Sequence, residues 1–207
     1  MVPMASTESP GCYSSEERAI LLDVAAESIA KALEQGSPWV PSPSDYPERL
    51  REPRATFVTL EMDGDLRGCI GALEADCPLV QDVAHNAFAA AFQDPRFAPM
   101  TESELPRLTI KVSVLSVPEP IAFASEADLL AQLRPGVDGL ILKDKRHRGT
   151  FLPAVWEQLP NPIDFLAHLK RKAGLPMDDW SDDLEVLRYA TESFGRAAHA
   201  KRAARLD

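Results

Sequence analysis

Two short segments bring together residue types able to do chemistry. The first is Arg67-Gly68-Cys69-Ile70-Gly71. A guanidinium close to a thiol favours the thiolate, which is the reactive form. Gly68 and Gly71 weaken a strand, and such glycines mark a bulge or a close approach of backbone. Amides exposed there could bind an anion. The second segment is Asp94-Pro95-Arg96-Phe97. It reads either as a helix stop with an Asp94–Arg96 interaction and Phe97 in the core, or as an anion clamp built on Arg96. The candidate site is therefore Cys69 as the catalytic thiol, with Arg67, Gly68, Ile70, Gly71, Asp94 and Arg96 binding substrate or anion. The plain alternative is that Cys69 is a small buried hydrophobe.

Few other residues compete. Cys69, Cys77 and His85 are each eight apart, a spacing that matches no familiar zinc site, so no metal is expected. Gly68-x-x-Gly71 is too short for a phosphate loop and no Lys-Ser/Thr follows it. No Gly-x-Ser-x-Gly elbow is present. No cofactor is expected. A cysteine hydrolase would have to draw its base from elsewhere in the chain. His85 falls midway along an alanine-rich helix, and His147 and His168 lie among basic residues. Lys172 complements a helix C-terminus.

The elements that position these segments follow from periodicity. Ser14-x-x-Glu17 is a capping box opening a helix over 15–36, stopped by Gly36. A proline-rich loop runs from Pro38 to Pro53, where Trp39 and Tyr46 can pin it to the body. Ala55–Met62 is a strand, Asp63-Gly64 a two-residue hairpin turn, and Asp65–Ile70 the return. With that turn, Met62 opposes Asp65, Leu60 opposes Arg67 and Val58 opposes Cys69. Arg67 and Cys69 then share the face of Val58 and Leu60. Pro78 opens a helix to about Gln93, with Asp76 or Cys77 as cap. Leu108, Ile110, Val112 and Val114 alternate with polar residues as in a half-buried strand. Ser125 caps a helix to about Arg134, Val137–Lys143 and Gly149–Leu152 form a second hairpin, and Asn161-Pro162 starts a helix that stops at Gly174. Leu184–Thr191 reads as the last strand. The fold class is α+β, with a mixed, largely antiparallel sheet, β-hairpins and packed helices. Residues 1–13 read as a mobile tail, 14–194 as a single domain, and 195–207 as a C-terminal tail that could form a frayed helix.

Composition sets outer bounds. The chain has 207 residues and a net charge of -10. So acidic a chain repels a phosphate backbone except at a local basic patch such as Lys143–Arg148, which disfavours nucleic acid as a partner. Three cysteines and the absence of a signal-peptide pattern argue against a disulfide framework. No apolar run approaches the roughly 20 residues that span a bilayer. The expected compartment is the cytoplasm.

Several motifs occur together in one order. They are Thr56-Phe57-Val58-Thr59-Leu60, Leu66-Arg67-Gly68-Cys69-Ile70-Gly71, Ala91–Phe97 with Pro99 and Glu104-Leu105, and Val112–Leu115. Gly136–Leu140, Phe151-Leu152-Pro153 and Lys172-Ala173-Gly174-Leu175 follow. Over about residues 14–194 the chain resembles the AMMECR domain family. The resemblance implies an α+β domain of two unequal subdomains. Bacterial members are similar to protein A of the AmmeMemoRadiSam system, which implies a Memo-like protein and a radical-SAM protein as partners. One feature departs from the pattern: some members carry a second cysteine where this chain has Leu169-Lys170-Arg171. Three functions follow as expectations: an accessory or substrate-handling component acting with those partners, a cysteine-dependent enzyme using Cys69, or a nucleotide- or RNA-binding module using Arg67, Arg96 and the basic turn.

Overall fold

A computed structural model describes residues 13–177, 180–181 and 183–198. The chain divides into two compact units, one running to Val114 and resuming at Glu192, the other spanning Leu115–Thr191. The first holds all the candidate residues. Its helix α1 (Ser15–Gln35) begins at the capping box, where Ser14 Oγ accepts the Glu17 N–H at 3.1 Å and Glu17 accepts the Ser14 N–H at 2.8 Å. It ends at Gly36, whose φ of 68° is left-handed. Past a short helix, α2 (Glu48–Arg51), come strands β1 (Thr56–Met62) and β2 (Asp65–Gly71). Their turn has Asp63 at φ 53° and Gly64 at φ 95°, the paired positive angles that match strand twist. The helix α3 (Leu79–Phe92) follows, then β3 (Leu108–Leu115). The last strand of the chain, β8 (Thr191–Ala197), completes a sheet ordered β2-β1-β3-β8. Val58, Leu60, Ile110 and Val112 on one face of the sheet are buried with Leu21 and Ile29 of α1 and Val83 and Ala87 of α3. Trp39 and Tyr46 pack on this core as expected.

The second unit carries β4 (Glu119–Pro120), α4 (Glu126–Gln132), β5 (Gly139–Asp144), β6 (His147–Phe151), α5 (Pro162–Ala173) and β7 (Glu185–Tyr189), with sheet order β4-β7-β5-β6. Trp156 stacks on Phe165 at 3.7 Å in its core. Lys170 is fully buried, its ammonium 2.6 Å from Glu126. There are thus two antiparallel sheets rather than one. The expected strand over 184–191 ends at Tyr189, and the chain crosses to the other sheet at Thr191. Of the expected C-terminal tail, residues 195–197 belong to a strand and not to a helix, and 199–207 lie outside the described residues. The expected N-terminal tail falls almost wholly on residues 1–12, outside the described residues, and Tyr13 is buried. Among the described residues, no helix is long and apolar enough to cross a membrane.

The hairpin register departs from the expected one. Met62 opposes Asp65 and Glu61 opposes Leu66, but then Leu60 opposes Gly68, Thr59 opposes Cys69 and Val58 opposes Ile70. Arg67 is the extra residue of a bulge, which flips every later side chain to the opposite face. Cys69 therefore lies beside Thr59, not Val58, and Gly68 takes the buried face. The cause is α3. A Cβ at position 68 would fall on the Ala90 carbonyl oxygen, so only glycine lets helix and sheet approach this closely. A Cβ at Gly71 would run into the Phe57 ring and the Thr56 carbonyl. The α3 cap also differs: Pro78 holds the N-cap position and no side chain caps the helix. Gly68→Ala should lower unfolding free energy by about 2 kcal/mol or more, the scale of overpacking, read as a shift in urea midpoint with unchanged slope.

Candidate functional site

The strand β2 is the outer strand of its sheet, so alternate backbone groups point away from β1. At Cys69 these groups are taken. Asp94 Oδ2 accepts the Cys69 N–H at 2.9 Å, and Arg96 Nη2 donates to the Cys69 carbonyl at 3.3 Å. Asp94 and Arg96 thus stand where a neighbouring strand would. They also bind each other: Arg96 Nη2 donates to Asp94 Oδ2 at 2.6 Å, and Arg96 Nε to Oδ1 at 2.9 Å. The Arg96 N–H reaches Oδ1 at 3.1 Å and closes the turn after α3. The Asp94 side chain is 2% exposed and the Arg96 side chain 53%. The Arg96 guanidinium, aided by the Cys69 and Arg96 amides, holds the Asp94 carboxyl well below the usual range against burial. Asp94 in turn raises Arg96, with the Cys69 sulfur adding to the effect.

Arg67 turns elsewhere. The spacing predicts it beside Cys69, but the bulge sends its side chain to Glu104, with Nε 2.6 Å from Oε1, and to the Ala98 carbonyl at 2.8 Å. Arg67 is 8% exposed, and its Nη1 is buried with no hydrogen-bond partner among the described residues. Glu104 Oε2 also accepts from the Thr101 N–H at 2.7 Å and from its hydroxyl at 3.0 Å. The Arg67 hydrogen bond, then those from Thr101, lower the Glu104 carboxyl from 4.5 to about 2 in spite of burial. The Phe97 ring lies against both guanidiniums, 5.7 Å from Arg67 Cζ and 5.5 Å from Arg96 Cζ.

The sulfur of Cys69 is half-buried and lies 3.2 Å from Thr59 Oγ1. Among the described residues no histidine is hydrogen-bonded to it. Ile70 opposes Val58 and packs against the core, so its role is architectural. The structure therefore brings Cys69, Asp94 and Arg96 together and places Arg67 in an adjoining ion pair across Phe97. Three participants were absent from the candidate set: Thr59, Phe97 and Glu104. Thr59 was hidden by the register shift. Glu104 had a readable signal, because Thr101-x-x-Glu104 is a capping box. His85 is exposed. The basic turn belongs to the second unit, where Lys145 pairs with Asp183.

The AMMECR1 family model matches residues 22–194. A protein of Methanothermobacter thermautotrophicus is 39% identical over 183 residues, covering 87% of this chain and 95% of that protein. One from Thermotoga maritima is 40% identical over 151 residues, covering 72% and 82%. The crystal structure of the uncharacterized protein PH0010 from Pyrococcus horikoshii superposes with a TM-score of 0.75 at 35% identity, covering 84% of this chain and 89% of that one.

Glu104 and Asp94 are both depressed, so their stabilisation is present above the ordinary carboxylate range and is lost as pH falls through their folded values. For Glu104 that window runs from 4.5 down to about 2. Glu104→Gln should destabilise by roughly 3 kcal/mol at pH 7, the cost of stranding one member of a buried ion pair. The difference from the native chain should shrink steadily below pH 4.5, as urea unfolding at a series of pH values would read. A pH-independent difference would count against the pairing.

Proposed function

Because the chain belongs to the AMMECR1 family, we propose that it is an accessory, substrate-handling protein working in the cytoplasm with a Memo-like protein and a radical-SAM enzyme. In this reading the edge of β2 at Cys69, with the half-exposed Arg96 over it, is the surface it offers them. The observation that carries the proposal is how the charges around Cys69 are used. Asp94 and Arg96 fix the Cys69 backbone, and Glu104 fixes Arg67. The arrangement makes a rigid, defined shape, as recognition requires, rather than a base poised on a nucleophile.

A cysteine-dependent reaction is the second reading. One observation favours it: Arg96 is near enough to Cys69 for their charges to interact. A nucleotide- or RNA-binding role has less support, since Arg67 is buried against Glu104 and the net charge of the chain is -10.

The test is capture of partners by the tagged full-length chain after crosslinking in its own cells. A Memo-like protein and a radical-SAM protein should be recovered with the native chain. Arg96→Ala should reduce recovery about tenfold, the scale of 1.4 kcal/mol of interface energy, and Cys69→Ser should leave it unchanged. Absence of both proteins from the native capture defeats the proposal. Full capture by Cys69→Ser together with loss of cellular function would instead favour the thiol chemistry.

A further inference from the structure

The face of the first unit's sheet that turns away from α1 and α3 is polar, in contrast to the buried face. Along β1 it presents Phe57, Thr59 and Glu61, none of them fully buried, whereas Val58 and Leu60 between them are 0% exposed. On β3 the same face carries Thr109, Lys111 and Ser113, with Lys111 exposed. The register makes these into rows. Thr59 opposes Cys69 on one side and Lys111 on the other. Cys69, Thr59 and Lys111 therefore lie side by side across three strands, with the thiol and the ammonium about 10 Å apart at the backbone, two interstrand spacings. The edge beyond Cys69 carries Arg96. Beyond Lys111 on β8 is Gly195, where a Cβ would sit 2.7 Å from Lys111 Cγ, so the lysine stem lies over a residue with no side chain.

Two cations thus flank a thiol–hydroxyl pair. Each has a carboxylate partner, and in each pair the cation is the outer member. Lys111 is 49% exposed over Glu61 at 23%, and Arg96 is 53% exposed over Asp94 at 2%. Both cationic side chains are thus the more solvent-exposed members of their pairs. A surface arranged this way attracts anions locally although the chain as a whole is acidic. Thr59 adds a hydroxyl between the two cations.

We infer that the row Cys69–Thr59–Lys111, with Arg96 at its end, binds a small anionic ligand through a carboxylate or phosphate group, and that Lys111 is its anion-binding side chain. This rests on the substrate-handling half of the reading above and not on the partnership. It is tested on the purified chain alone, so its failure and the failure of partner capture are separate results. Glu61 is the restraining group: it holds Lys111 Nζ at 2.6 Å and competes with the ligand.

The probe is alkylation of Cys69 by anionic iodoacetate against neutral iodoacetamide, with each cysteine read separately by peptide mass spectrometry. Both reagents use the same thiolate and are of similar size, so their rate ratio removes thiolate fraction and steric access and leaves the electrostatic environment. The ratio at Cys69 should exceed that of free β-mercaptoethanol by about tenfold, the lower end of electrostatic focusing. It should fall toward the free-thiol value at about 0.5 M salt. Lys111→Gln should lower the ratio several-fold, while Glu61→Gln, which frees Lys111, should raise it. Opposite signs from two substitutions of one ion pair are not produced by general disruption. Inorganic phosphate and acetate, added separately, should each slow the iodoacetate reaction, and the stronger competitor identifies the ligand's acidic group. A ratio equal to that of the free thiol, or one unmoved by Lys111→Gln, overturns the proposal. Inertness of Cys69 to both reagents does so too, because a site closed to molecules this small is closed to the ligand.

Discussion

Asp94 accepts four hydrogen bonds on its two oxygens, from the backbone of Cys69 and of Arg96 and from two guanidinium nitrogens. It sits at the first residue after the turn that ends α3, and it is almost wholly buried. A buried carboxylate needs this degree of satisfaction to remain charged. Those bonds tie the end of the helix to the outermost strand. They also close the backbone groups at Cys69 that would otherwise template pairing with another chain. The Cys69 segment has its shape because a carboxylate and a guanidinium replace a missing strand.

The second constraint is steric and acts from beneath. Helix and sheet approach so closely at Ala90 that position 68 has no room for a side chain. Gly68 must therefore face the helix, and the strand reaches that register only by placing Arg67 in a bulge. The bulge takes a guanidinium out of the sheet's alternation and delivers it to Glu104 and the Ala98 carbonyl. Phe97 separates the two arginines and contacts both.

What the amino-acid sequence disclosed was local. The capping box at Ser14, the Asp63-Gly64 turn, the alternation of β3 and the Asn161-Pro162 to Gly174 helix depend on residues within a few positions of one another, and each formed where its pattern stood. The bulge was not legible, because it is set by a helix backbone more than twenty residues downstream. Nor was the division of 184–197 into β7 and β8, since strand propensity carries no information about which sheet a strand joins. Of the candidate residues, Cys69, Asp94 and Arg96 do meet. Arg67 was assigned the wrong neighbour, and Cys69 was placed on the wrong face by a shift of one residue.

That one residue changes the chemical environment of the thiol. Opposite Val58, Cys69 would face the core between aliphatic side chains and would be inert packing. Opposite Thr59 it faces a hydroxyl, on a sheet surface that also carries Glu61, Lys111 and Ser113. Arg96 donates to the Cys69 carbonyl, and Arg67 belongs to a different pair. The same bulge that makes Gly68 indispensable to packing thus turns the sulfur out of the core. Architecture and chemistry at this segment are consequences of a single backbone irregularity, and a substitution that restored regular pairing would remove both together.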